Sequence, residues 1–271
     1  MKQTRTIRAF LAALVAAVAL AGPTAAGQAQ DDWCARERWG SDREGACEVR
    51  ELTVMPGAGM LTVDAAPNGG ITVAGSPRGD VLVRARIVAT AETEQRAREI
   101  LDAVRVESSA ERIHAEGPTS LPRRESWHVS YDLAVPPQSS LSLNTTNGGI
   151  NIRDVEGRLE FRTVNGGVKL SGLAGDVRGR TSNGGVDVDL DGPTWNGNGL
   201  DVETSNGGVR LRIPDGYSAR LETGTVNGGF NIDFPVTVQG RMDRELKVDL
   251  GSGGPLIRVR TNNGGVRVSR R

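Results

Sequence analysis

Thr163-Val164-Asn165-Gly166-Gly167-Val168-Lys169-Leu170 is the phrase on which the fold turns. Six copies of its Thr-x-Asn-Gly-Gly head, each leading into an alternating apolar stretch, begin at Thr145, Thr163, Thr181, Thr204, Thr225 and Thr261. A weaker seventh, Pro67-Asn68-Gly69-Gly70-Ile71, lies in the first half of the chain. The asparagines Asn147, Asn165, Asn183, Asn206, Asn227 and Asn263 are spaced 18, 18, 23, 21 and 36 apart, the last gap being twice the first. A period near 20 marks a repeat architecture, in which each unit buries its apolar face only against its neighbours.

Parity along the phrase indicates where the chain bends. Side chains alternate along a strand, so Thr163 and Asn165 should share the inward face of Leu159 and Phe161. Asn165 to Val168 is an odd step, so Gly166-Gly167 must absorb a bend for Val168 to point inward again. Asn and Gly tolerate positive φ, which makes each Asn-Gly-Gly a structural corner. Two topologies satisfy this pattern. In a β-solenoid, equivalent residues of adjacent rungs lie about 4.8 Å apart. In a sandwich of antiparallel hairpins, Thr163 would pair with Val168 across each Asn-Gly turn.

Outward charges discriminate weakly between the two, because like charges opposite each other repel. Stacking pairs Glu160 with Arg178 and Asp201, Lys169 with Asp187 and Arg210, and Asp189 with Arg212 and Asp233; its one clash is Arg162 against Arg180. Hairpins pair Arg180 with Asp187 and Glu203 with Arg210, and clash at Arg162 and Lys169. The near-constant period favours an all-β solenoid, with hairpin repeats as the alternative.

The remainder of the chain supports this class. Balanced charge, 33 basic against 33 acidic residues, removes the electrostatic argument for a nucleic-acid partner. Gly is abundant at 36 residues and aromatics are only 4%, which suits thin stacked β-layers. Residues 1–29 read as a signal peptide: Lys2, Arg5 and Arg8 precede a short apolar run, and Gly27-Gln28-Ala29 offers a cleavage site. Export to the periplasm or the cell surface is the expectation, with no transmembrane segment in the mature chain. Residues 30–50 form a polar segment whose Cys34 and Cys47 can bridge in an oxidising compartment. Residues 51–138 hold short β-type runs and one helix near 93–104, capped by Thr93, with Ala97, Ile100, Leu101 and Val104 on one face. The repeats occupy residues 139–271 of the same domain.

Several of these features together resemble the bacterial putative-adhesin family of β-strand-repeat proteins. The matching residues are Tyr131-Asp132-Leu133-Ala134-Val135-Pro136, the Asn-Gly-Gly phrases, and Gly251-Ser252-Gly253-Gly254-Pro255-Leu256-Ile257 before the last phrase. The resemblance covers roughly residues 51–269. It implies a right-handed β-helix-like stack and an adhesive role at the cell surface, and provides no catalytic residues.

Chemistry is sparse. No nucleophile-elbow, phosphate-loop or zinc signature is present, and no cofactor is expected. His114 and His128 read as strand residues, since nothing nearby in the sequence orients either as a base. Asp187, Asp189 and Asp191 could gather calcium oxygens, but pairing with Lys169, Arg178, Arg210 and Arg212 is the stronger expectation. Trp195, in the insertion 191–199, either stacks on a sugar or partner at the surface or folds back over the stack. The functional expectation is an exported, non-enzymatic adhesive or scaffolding surface whose partner is a cell-envelope glycan or protein. The alternative is a carbohydrate-active β-helix enzyme, which would need a cleft of clustered acids.

Overall fold

The computed structural model describes residues 33–35, 39, 42–234 and 245–271. The expected signal peptide lies outside the described residues. In chain order the first strands are β1 (Glu44–Val54), β2 (Leu61–Asp64), β3 (Ile71–Gly75) and β4 (Val81–Ala91), followed by helix α1 (Glu94–Ala103). Next come β5 (Arg105–Ser108), β6 (Arg112–Glu116), β7 (Ser126–Val135), β8 (Leu141–Asn144), β9 (Ile150–Arg153), β10 (Glu156–Asn165) and β11 (Val168–Ser171). The chain continues through β12 (Ala174–Asn183), β13 (Val186–Asp189), β14 (Gly199–Asn206), β15 (Val209–Ile213), β16 (Ala219–Asn227) and β17 (Phe230–Ile232). It closes with β18 (Glu245–Leu250), β19 (Leu256–Asn263) and β20 (Val266–Arg270).

These strands form two ten-stranded sheets. Each Asn-Gly-Gly phrase carries the chain from a strand of one sheet to a strand of the other, as from β10 to β11. Neighbouring rungs pair in parallel and in strict register, Thr163 with Thr181 and Asn165 with Asn183. The hairpin alternative is thereby excluded, since the strands flanking a corner never pair with each other. Core columns follow from the alternation. Leu61, Leu141, Leu159, Val177, Leu200, Ile257 and Leu221 stack across one sheet. Val73, Ile152, Leu170, Val188, Leu211 and Val268 stack across the other. All are buried in one continuous core between the sheets.

Rung order in space departs from chain order at both ends. β2/β3 lies between β6/β7 and β8/β9, so the first rung is interior. At the other end β19/β20 is inserted between β14/β15 and β16/β17. Arg212 therefore faces Ser269, not Asp233 as sequential stacking would require. The gap of 36 residues between the last two asparagines is consequently not a missing repeat. It holds β18, which pairs antiparallel with β16 and covers that edge of its sheet, and the return of the chain to fill the vacant slot. The opposite end is closed by antiparallel β5 on β6, and by β4 and β1 beyond β7.

Helix α1 packs against β4, β1 and β7 through Ala97, Ile100 and Leu101. Thr93 Oγ1 accepts from the Arg96 amide at 3.2 Å, the expected N-cap. The Cys34–Cys47 disulfide, with Cα atoms 5.7 Å apart, ties the N-terminal segment to β1. Strand β1 begins at Glu44, so residues 44–50 belong to the sheet and not to a separate polar segment. Trp33 lies over the guanidinium groups of Arg84 and Arg86, 5.4 and 5.2 Å from its ring centre. Reduction should weaken the fold by at most about 3 kcal/mol, since the closed loop is short. Hydrogen exchange should quicken in β1 while β10 to β15 stay protected; unprotected repeats after reduction would overturn this.

Candidate interaction surface

The corner accounts for its own residue types. In all six full copies the threonine is buried, and its Oγ1 donates to the carbonyl of the first corner residue of the adjoining rung. Those acceptors are Gly69, Gly148, Gly166, Gly184, Gly207 and Gly264, at 2.7–2.8 Å. The amide of each such glycine donates to an Asn carbonyl of the next rung, as Gly166 does to Asn183 at 3.0 Å. Asn68, Asn147, Asn165, Asn183, Asn206, Asn263 and Asn227 form a continuous ladder, in which the Nδ2 of each after Asn68 donates to the Oδ1 of the one before it at 2.7–2.9 Å. The corner's backbone and carboxamides are thus largely spent on one another. Thr181→Val should cost about 1–2 kcal/mol by leaving the Gly166 carbonyl short of a donor, measured by denaturant midpoint.

The corner departs in two details from the expected parity. The threonines face inward as expected, but Asn165 and Asn183 are exposed at the corner and do not share the core face. Nor do the corner glycines adopt positive φ. Positive φ instead collects on the opposite edge of the stack, at Asp154, Gly157, Gly172, Gly175, Gly197 and Gly199. The first corner glycine is required for steric reasons: a Cβ on Gly184 would overlap the Gly166 carbonyl of the rung beneath.

Of the two readings of Trp195, the structure takes the one that folds back over the stack, and Trp195 is not a surface binding residue. It is 5% exposed, and its Nε1 donates to the Gly175 carbonyl at 3.0 Å. The insertion folds back over the return edge, so the ring is structural and offers no face to a ligand.

What remains available is the outward face of each sheet. On the sheet containing β10, one row reads Glu160, Arg178, Asp201, Arg258, Glu222, Lys247 and alternates in sign without a fault. Arg258 bridges Asp201 at 3.1 Å and Glu222 at 3.0 Å. Hydrogen bonding to Glu222, reinforced by the charge of Asp201, holds Arg258 above its ordinary pKa. The adjacent row reads Asn144, Arg162, Arg180, Glu203, Arg260. Arg260 turns away to Glu222 and Glu245, at 3.1 and 2.7 Å.

The other sheet is similar. Arg210 pairs with Asp187 at 2.8 Å, and Arg212 reaches Asp189 with its Nη2 at 2.6 Å from Oδ2. Hydrogen bonding to Asp189 raises the pKa of Arg212. Asp191 pairs with Arg271 at 3.1 Å. The three aspartates that could have gathered a cation are each held by an arginine, and no cluster of metal-binding side chains occurs among the described residues. His114 lies 3.3 Å from Glu116, and His128 sits half-buried in β7 opposite Val88. Neither His is brought to an acid cleft.

Two shallow, open depressions mark the β10 face. One, of about 440 Å³, is lined by Ser142, Asn144, Glu160, Arg162, Arg180 and Glu203 among others. The second, of about 550 Å³, shares Arg180 and Glu203 and extends past Ser182, Ser205 and Asn262 to Val226. Val226 is, among the described residues, one of two large exposed apolar side chains, at 55%. Sequence reasoning did not nominate this face, although the Arg162–Arg180 clash was the signal that could have.

The molecule is therefore a two-sheet parallel β-solenoid with charge-laddered faces. The chain belongs to the Toastrack DUF4097 family, which matches residues 102–269. No curated protein matches it. Among solved structures it is similar to one described as a putative cell adhesion protein from Clostridium sporogenes ATCC 15579. That match has 11% identity and a TM-score of 0.47, covering 84% of this chain and 100% of the other. It is also similar to a putative adhesin from Bacteroides fragilis NCTC 9343, at 11% identity and TM-score 0.35, covering 83% and 97% of the two chains. A putative lipid binding protein from Parabacteroides distasonis ATCC 8503 matches at 10% identity and TM-score 0.33, covering 82% and 96%.

Proposed function

We propose that this protein is an exported, non-enzymatic adhesive or scaffolding surface of the cell envelope, binding a glycan or protein with the outward faces of its strands. The observation that supports this most is the pairing of its acids. Asp187, Asp189 and Asp201, three outward acids that a carbohydrate-cleaving site could draw on, each lie in a flat ladder against an arginine. Such a ladder spends the charge of these three acids on register and not on proton transfer. Long flat faces, a rigid parallel core and covered ends suit a surface that holds a partner. Residues 1–29 support export, and no helix among the described residues is long and apolar enough to cross a membrane. The test is a screen of the purified protein against glycans and cell-wall fragments, scoring retention and product formation together. Retention without products is the expected result; new reducing ends or unsaturated products would overturn it.

A further inference from the structure

We propose that Arg162 and Arg180, with Glu203 beside them, form a subsite for the carboxylate of a uronate unit in an acidic polysaccharide. The proposal rests on the adhesive reading above and names its ligand class.

One row of the β10 face breaks an otherwise regular charge pattern. Arg162 and Arg180 are register partners on β10 and β12, and Glu203 follows on β14. Neighbouring strands are about 4.8 Å apart, so two exposed guanidinium groups stand side by side where like charges repel. The next row of the same face, between Glu160 and Lys247, alternates in sign throughout. Among the described residues, no ion pair or hydrogen bond engages the guanidinium of Arg162 or Arg180, or the carboxylate of Glu203. Arg260, the register partner that could have satisfied Glu203, is held by Glu222 and Glu245 instead. Three consecutive unpaired charges thus share one row and line the smaller depression, and Arg180 and Glu203 reach into the larger one as well.

The order of charges selects the ligand. Two adjacent guanidinium forks can each take one oxygen of a carboxylate, the planar oxyanion they match best. A densely charged chain such as polyphosphate would meet Glu203 on one side and Glu160 in the same depression, and be repelled. A sugar carrying one carboxylate among neutral hydroxyls avoids that repulsion. Its hydroxyl groups donate to Glu203, while Ser142, Asn144 and Ser182 supply further polar contacts along the depressions.

The experiment compares the purified protein with R162Q/R180Q and with a control on the opposite face, R153Q/R267Q, by calorimetric titration. The probes are polygalacturonate, its fully methyl-esterified form, and inorganic polyphosphate. Polygalacturonate should bind, and R162Q/R180Q should weaken it tenfold or more while R153Q/R267Q does not. The esterified polymer should fail to bind, and polyphosphate should bind less tightly. The melting temperature of R162Q/R180Q should equal or exceed that of the parent, since a repulsive pair is removed. No binding of polygalacturonate, equal binding of the ester, tighter binding of polyphosphate, or an unaffected double variant would each overturn the subsite. Retention on cell-wall fragments separates the two readings. If R162Q/R180Q is retained as well as the parent, the subsite falls and the adhesive surface stands.

Discussion

A chain ending at Pro255 should not behave as a solenoid shortened by one rung; it should lose cooperative folding of its C-terminal half. In a sequential repeat protein the last unit touches one neighbour, and its removal exposes one new face. Here β19 and β20 fill a slot between β14/β15 and β16/β17. Their removal strips hydrogen-bond partners from both flanks and takes Ile257, Val259, Val266 and Val268 from the core, each at most 2% exposed. At about 1.5–3 kcal/mol for each fully buried side chain, the four together reach about 6–12 kcal/mol. That is comparable with the whole stability of a typical domain, about 5–15 kcal/mol. Circular dichroism and urea unfolding provide the measurement. A truncated protein that still unfolds in one sharp transition, with only a small fall in midpoint, would show that the inserted order is wrong.

Second in size is a contrast between two neighbouring glycines. Gly184→Ala should destabilise by about 3 kcal/mol or more, because the new Cβ meets backbone that cannot move aside. The obstructing Gly166 carbonyl is itself stacked on Gly148 and already accepts from Thr181. At Gly185 the same Cβ would lie 3.4 Å from the Gly208 oxygen, an ordinary contact. Neither residue has positive φ, so Gly185→Ala carries no backbone strain and should shift stability by less than about 1 kcal/mol. Were positive φ the reason for both glycines, the two substitutions would cost alike. Equal denaturation midpoints for the two variants would therefore restore the conformational explanation and remove the steric one.

Both predictions depend on features that the repeat phrase states only in part. Thr163 was legible as an inward residue because alternation is a local rule, and its hydrogen bond to Gly148 follows once rungs stack in register. Gly166 was legible as a corner but not for its reason. A bend and a close approach both call for glycine, and only the rung above and below distinguish them. Trp195 carries an ambiguity of the same kind. An aromatic on an insertion packs inward or faces solvent according to what lies beneath it, here the Gly175 carbonyl on another strand.

The class of this protein is written in its repeats: a period near 20, alternating apolar residues and a Thr-x-Asn-Gly-Gly corner admit little but stacked β-rungs. The sequence also specifies the Thr93-capped helix and the cysteine bridge, because capping and pairing of a lone cysteine couple are short-range matters. The order of the rungs is settled by long-range packing alone. Every corner presents the same threonine, asparagine and glycines, so any rung can pair locally with any other at nearly the same free energy. The choice among orders falls to connection lengths and to the antiparallel strands that cover each end, such as β18 beside β16. For the same reason the surface stayed hidden. Whether Arg180 meets an acid depends on which strand lies beside it and where that strand's own charges are already held.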